Sequence, residues 1–208
     1  MAKLIAKIVV TGGPCAGKTT TITKLEEYLK NKGYHVLILR ECATDVLSSG
    51  IIPYSEFGIP VYDFQNEVMN LQLYREKRLS DIVNKIADDK KVVMLLDRGL
   101  VDNKAYLGEE LYNKLISEYN LDSDEILDRY DMVIHMITVA NNIKNRYGKT
   151  NNTTRFEDAD EAINLDKRTS EAWSKHKCVK VAPVTDLLEE KIKLVTGYVD
   201  ELLEELDK

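Results

Sequence analysis

Short apolar runs recur along the chain, separated by longer stretches with helical spacing. The runs are Leu4–Thr11, His35–Leu39, Val92–Leu96, Met132–Val139 and Val179–Ala182. Three are rich in Val and Ile, and clean alternation with polar residues is missing. That pattern predicts strands buried on both faces of a parallel sheet. Between them, Thr19–Lys30 reads as a helix closing on Gly33, a C-cap glycine. Phe64–Ala87 places Val68, Leu71, Leu79, Ile82, Val83 and Ile86 at helical spacing. Leu111–Tyr119 and Ser123–Tyr130 are shorter helical stretches, and Glu157–Lys175 and Asp186–Leu206 complete the set. Alternation of this kind predicts an α/β three-layer sandwich, with a five-stranded parallel sheet and helices on both faces. Ligands of such folds sit beyond the carboxyl ends of the strands. The residues just after each run are therefore where chemistry belongs.

Length and charge narrow this picture. The chain has 208 residues, enough for one full domain with a small insert. Its net charge of −6 offers no basic field for a long nucleic-acid duplex. Cys15, Cys42 and Cys178 are few, odd in number and far apart, without metal-ligand spacing. A reduced, cytoplasmic protein without a disulfide framework or zinc site is expected. The apolar N-terminal stretch is interrupted by Lys3 and Lys7 and is too short to span a membrane, so integral membrane contact is not expected.

The first run leads into Gly12-Gly13-Pro14-Cys15-Ala16-Gly17-Lys18-Thr19-Thr20, which fits the P-loop pattern GxxxxGK[ST]. Gly12 and Gly17 allow backbone angles and close approach that a Cβ would obstruct. Successive N–H groups then form an anion nest, and the following helix adds its positive end. Lys18 supplies a charge to the β- and γ-phosphates, and the Thr19 hydroxyl is a ligand for Mg²⁺. The fold class sharpens to a P-loop NTPase sandwich that binds a nucleotide.

The third run ends at Asp97, the usual place of the magnesium-binding Walker B aspartate. Water-activating ATPases often place an acid next. Here Arg98 follows, which cannot act as a base but can hold a phosphate or carboxylate bidentately. Transfer to a bound acceptor is favoured over transfer to water. After the second run, Glu41 is positioned to deprotonate an acceptor hydroxyl or to order a magnesium-bound water. An acceptor-side insert is expected over residues 48–78, with Gln65, Asn66, Gln72, Arg75 and Arg78 as its polar candidates. A basic lid is expected over 141–156, carrying Arg146 and Arg155, with Arg168 behind it. Lid arginines stabilise charge on a transferring group and exclude water. Ala182, Pro183 and Val184 are candidates for packing the nucleotide base. No [NT]KxD guanine-reading motif is present, which favours ATP, with GTP as the other candidate.

These segments carry a resemblance. "LDRGLVDNKAY" resembles the thymidylate-kinase pattern DRYxxSxxAYQ, with Gly99 in place of the Tyr and Asp102 in place of the Ser. "RECAT" is similar to the REPGGT segment of the same family, and "TRFED" to its lid. The wider set of "GGPCAGKTT", "DRGLVDNKAY", "TRFEDADEA" and "DKRTSEAW" resembles the AAA-type ATP-binding domain of the P-loop kinase superfamily. NadR-like nicotinamide riboside kinases share that domain, as does a GTP- and phosphoinositide-binding trafficking protein. The resemblance implies a Mg²⁺-dependent small-molecule kinase acting on a nucleoside-, nucleotide- or metabolite-like acceptor. Its alternative is a nucleotide-binding switch or phosphoinositide-linked module with slow hydrolysis.

Overall fold

A computed structural model describes residues 3–54, 56, 58–83, 85, 91–141, 159–185 and 187–207. Five strands form one parallel sheet: β1 (Lys3–Thr11), β2 (His35–Leu39), β3 (Lys91–Asp97), β4 (Met132–Met136) and β5 (Val179–Ala182), in the order β2-β3-β1-β4-β5. The helices are α1 (Lys18–Asn31), α2 (Cys42–Ser48), α3 (Val61–Val83), α4 (Asp102–Glu118), α5 (Ser123–Asp128), α6 (Ala159–Ala172) and α7 (Leu188–Leu206).

The runs lack alternation because both faces of the sheet are covered. Ala6, Ile8 and Val10 of β1 face α1 and α7, where Leu25, Leu29, Val195 and Val199 complete a core. Val9, Met94, Leu96 and Val133 face the opposite way, onto Val68 and Met69 of α3, Leu115 of α4 and Trp173 just past α6. Burying such side chains contributes about 1.5–3 kcal/mol each.

The central position of β1 places the phosphate loop. Its end lies beside both neighbours, with Val10 opposite Asp97 and Thr11 opposite His135. Gly12 follows at φ 134, and a Cβ there would lie 2.1 Å from the Met136 carbonyl oxygen. Only glycine lets the chain leave the sheet so close to β4.

Several boundaries differ from the sequence reading. α2 was not anticipated, because its seven residues, about two turns, follow the strand without a longer apolar period. The fourth run stops as a strand at Met136, where pairing with Ala182 ends. α4 begins at Asp102, well before Leu111, and bends at Gly108, where φ is 75; that break interrupts the helical pattern in the sequence. The expected lid lies largely outside the described residues, and Arg146 and Arg155 with it. No described helix is long and apolar enough to cross a membrane.

Gly99, which departs from the thymidylate-kinase pattern, has a packing reason. A Cβ there would meet the Trp173 ring at 2.7 Å and Val9 at 3.1 Å. We expect Gly99→Ala to cost about 1–3 kcal/mol of stability through overpacking, measured by urea unfolding. A variant as stable as the wild type would show that the Trp173 ring can move aside.

Candidate active site

The loop after β1 ends in α1, whose N-cap is Gly17 at φ 85. No side chain caps that terminus, and its first turn carries no acid. A 14-residue helix thus presents open N–H groups and the positive end of its dipole, which suits a phosphate. The Lys18 ammonium lies over the loop and donates to the carbonyls of Gly12 and Gly13, at 3.2 and 2.9 Å. Cys15 takes a left-handed conformation, φ 57, within the tight turn.

Asp97 ends β3 facing this loop. The Thr19 hydroxyl lies 3.4 Å from its Oδ2, while its Oδ1 is buried without a hydrogen-bond partner among the described residues. Burial pushes the Asp97 carboxyl above its ordinary range; Lys18 pulls it down and Glu41 pushes it further up. A buried carboxylate oxygen left unpaired beside a hydroxyl fits a hard divalent cation. The residues expected to hold Mg²⁺ are therefore together and suited to it.

Arg98 has φ 72, a left-handed conformation uncommon for a long side chain. It is 8% exposed. Its Nε donates to Glu41 at 2.8 Å and an η-nitrogen to Asp102 at 3.2 Å. Of the two groups the sequence reading offered Arg98, phosphate or carboxylate, this structure shows carboxylates. Glu41 stands at the N-cap of α2, where Thr44 also donates to it at 2.7 Å. Burial would raise the Glu41 carboxyl, but the charges of Arg98 and Lys18, with hydrogen bonds from Arg98 and Thr44, outweigh that and hold it down to about 2. So acidic a carboxylate is a feeble proton acceptor, though a strong hydrogen-bond acceptor.

A cavity of about 390 Å³ opens beside the loop, from Pro14, Glu41 and Arg98 outward. Leu47, Ile52, Val61, Phe64 and Val68 supply an apolar wall, and Gln65, Gln72 and Asn103 supply amides. Tyr106 lies against Arg98, ring to guanidinium, at 5.9 Å. Leu165 and Arg168 of α6 close the side nearest the loop.

Residues 7–191 match the profile of a family described as AAA domain. The chain belongs to the AAA domain family. The fold agrees, being the parallel α/β sandwich of P-loop NTPases. Its curated relatives include the thymidylate kinases of Thermoanaerobacter sp. (strain X514) and Thermoanaerobacter pseudethanolicus (strain ATCC 33223 / 39E). Each is 32% identical over 94 residues, 44% of this chain and 45% of the relative. The match spans less than half the length of those relatives. This AAA domain is a P-loop, nucleotide-binding protein of kinase-like build.

Within the AAA domain, Lys18, Thr19, Glu41, Asp97 and Arg98 converge around one loop, as the sequence suggested. Of the acceptor-side candidates, Gln65 and Gln72 reach the cavity. Gln72 also donates to the Arg98 carbonyl at 3.2 Å, so it supports the site. Arg75 instead pairs with Asp45, Arg78 with Asp81, and Asn66 bonds Tyr119. Ala182 is fully buried in the α1–α7 core, which leaves Pro183 and Val184 of the base-side candidates. His176 is structural, bridging Tyr130 and Cys178. Sequence reasoning missed Asp102 as a partner of Arg98; the four-residue spacing at a helix start was the available signal.

The pH consequence follows from the sign of the Glu41 shift. Its folded value lies below the ordinary 4.5, so its stabilisation is complete above about pH 4.5 and fades as pH falls toward 2. We expect Glu41→Gln to be less stable than wild type at neutral pH, with the difference shrinking below pH 4.5. Denaturant unfolding across that range measures it; a difference constant with pH would remove Glu41 as its source.

Proposed function

We propose that this protein is a Mg²⁺-dependent kinase that transfers the γ-phosphate of ATP to a hydroxyl on a small acceptor carrying no phosphate of its own. The observation that carries this reading is the cavity beside the phosphate loop. A pure NTPase has no need of an apolar and amide-lined chamber of that size next to its γ-phosphate position.

The cavity's charge balance supports an uncharged acceptor. Two arginines line it: Glu41 and Asp102 already neutralise Arg98, and Arg168 stands on the α6 side, where it serves the transferring phosphate rather than the acceptor. Arg75 is paired with Asp45. Apolar side chains with a few amides suit a neutral, ring-bearing molecule such as a nucleoside. The thymidylate-kinase relatives, by their name, act on a nucleotide, so this chain departs from them here.

Roles follow from position. Lys18 and the amides of Gly12–Thr20 hold the nucleotide phosphates. Thr19 and Asp97 would hold Mg²⁺, which would neutralise phosphate charge there. Glu41 accepts a hydrogen bond from the acceptor hydroxyl and orients it. Deprotonation before transfer is not required, since phosphoryl transfer proceeds through a loose transition state with little demand on a base. Arg168 stabilises charge on the transferring group, and Arg155, outside the described residues, is the further candidate for that role. Arg98 positions Glu41. ATP is the expected donor, and the cytoplasm the expected compartment.

Incubation with γ-labelled ATP, Mg²⁺ and paired panels of nucleosides and their monophosphates tests this reading. Label is expected in unphosphorylated acceptors, and Lys18→Ala should lower the transfer by about 100-fold or more. Label confined to monophosphates would overturn the uncharged acceptor. Tight nucleotide binding with no labelled product would overturn the kinase and favour a nucleotide-binding switch.

A further inference from the structure

A carboxylate outside the loop motif holds the phosphate loop in place. Asp166, on α6, is 5% exposed. Its Oδ1 accepts from the Gly13 N–H at 2.7 Å and lies 3.3 Å from His135 Nε2. Its Oδ2 accepts from the Thr138 N–H at 3.5 Å. Thr138 in turn donates its hydroxyl to the Pro14 carbonyl. One carboxylate therefore gathers the entry of the loop, the end of β4 and the helix that follows the expected lid.

The contact leaves no slack. A Cβ on Gly13 would lie 2.8 Å from the Asp166 Cβ and 3.2 Å from the Ala162 carbonyl oxygen. Burial would raise the Asp166 carboxyl, but His135 and the Gly13 and Thr138 N–H groups hold it below its ordinary range. A negative charge close to a phosphate site is unfavourable in itself. Here it is met by two N–H donors and a histidine, and it fixes the backbone that must present the cradle amides. Further around the same helix, Glu161, Leu165 and Arg168 line the acceptor cavity. α6 thus touches both the phosphate loop and the acceptor chamber.

We propose that Asp166 is a positioning residue for nucleotide binding: it locks the loop entry at Gly13 against α6, so that nucleotide affinity depends on this carboxylate. The proposal rests on the reading of Gly12–Thr20 as a phosphate cradle, not on the identity of the acceptor.

The test measures MgATP affinity by calorimetry on the full chain, well below its unfolding temperature. Asp166→Ala is expected to weaken MgATP binding by about tenfold or more, the range of a hydrogen bond to a charged group. Asp166→Asn keeps one acceptor oxygen and should weaken it less. The Gly13 amide proton resonance should move upfield in both, as its charge-assisted bond is lost or weakened. Thr169→Val is the control, because Thr169 is buried on the same helix and, among the described residues, its hydroxyl donates to the Leu165 carbonyl of that helix. It should leave affinity within about twofold, the size of a minor local change. If the Asp166 variants lose thermal stability but bind MgATP like the wild type, Asp166 is merely structural and the proposal fails. Should Asp166→Ala not fold, the affinity and Gly13 resonance of Asp166→Asn decide the matter. A wild-type protein that binds no MgATP would remove the cradle reading and this inference with it. Binding without any phosphorylated acceptor would leave this inference standing.

Discussion

The buried ion pair of Arg98 with Glu41 and Asp102 is the contact on which the site depends. A guanidinium this deeply buried is tolerable only when its charge is matched and its donors are used. Asp102 supplies one match and is itself fully engaged. It accepts from the Thr11 hydroxyl, from the Gly99 N–H at 2.8 Å and from the Trp173 indole at 3.1 Å. Through that one carboxylate the end of β1, the end of β3, the start of α4 and the segment after α6 are bound together. Glu41 adds the start of α2. The left-handed backbone of Arg98 costs about 1–3 kcal/mol and persists because these partners fix the side chain on both sides.

That constraint shapes the chemistry around it. With Arg98 committed to two carboxylates, Lys18 and the uncapped end of α1 are positive groups the described residues place at the phosphate loop itself. Asp97, a short way off, keeps one oxygen without a partner among the described residues. The carboxylates of Asp97 and Glu41, both within the influence of Lys18, are driven apart, Asp97 upward by burial and Glu41, despite burial, downward by Arg98. Pairs separated in this way divide their roles. Here Glu41 is held ionised beside Arg98, while Asp97 is buried with one oxygen unpartnered among the described residues.

Behind the site, a second buried network holds the acceptor side. Glu76 of α3 is completely buried and takes hydrogen bonds from Tyr130 at 2.8 Å and Arg129 at 3.0 Å. The Tyr130 hydroxyl accepts from the Leu100 N–H at 3.1 Å, and Gln72 links Glu76 to the Arg98 carbonyl. The cavity wall on α3 and the loop after β3 are thus parts of one hydrogen-bonded unit. Trp173 fills the space over Gly99, which ties the departure from the thymidylate-kinase pattern to packing.

The local features were legible in the sequence because their causes are local. Val- and Ile-rich runs mark buried strands, the glycine spacing of Gly12 and Gly17 marks a phosphate loop, and Asp97 at the end of an apolar run marks a candidate metal ligand. The positions of Lys18, Thr19, Glu41 and Asp97 around one point followed from the rule that parallel sheets bind at their carboxyl ends. What only the tertiary structure decided is which charges are spent on one another. Arg98 reads as a ligand for a phosphate or a carboxylate until Glu41 and Asp102 are seen beside it, and Asp166 gives no signal in the sequence until Gly13 is found against it. Partners separated by 57 and 153 residues leave no periodic trace in a sequence. Their pairing depends on the crossing of helices and strands, and burial then makes the pairing strong enough to set the charge of the site.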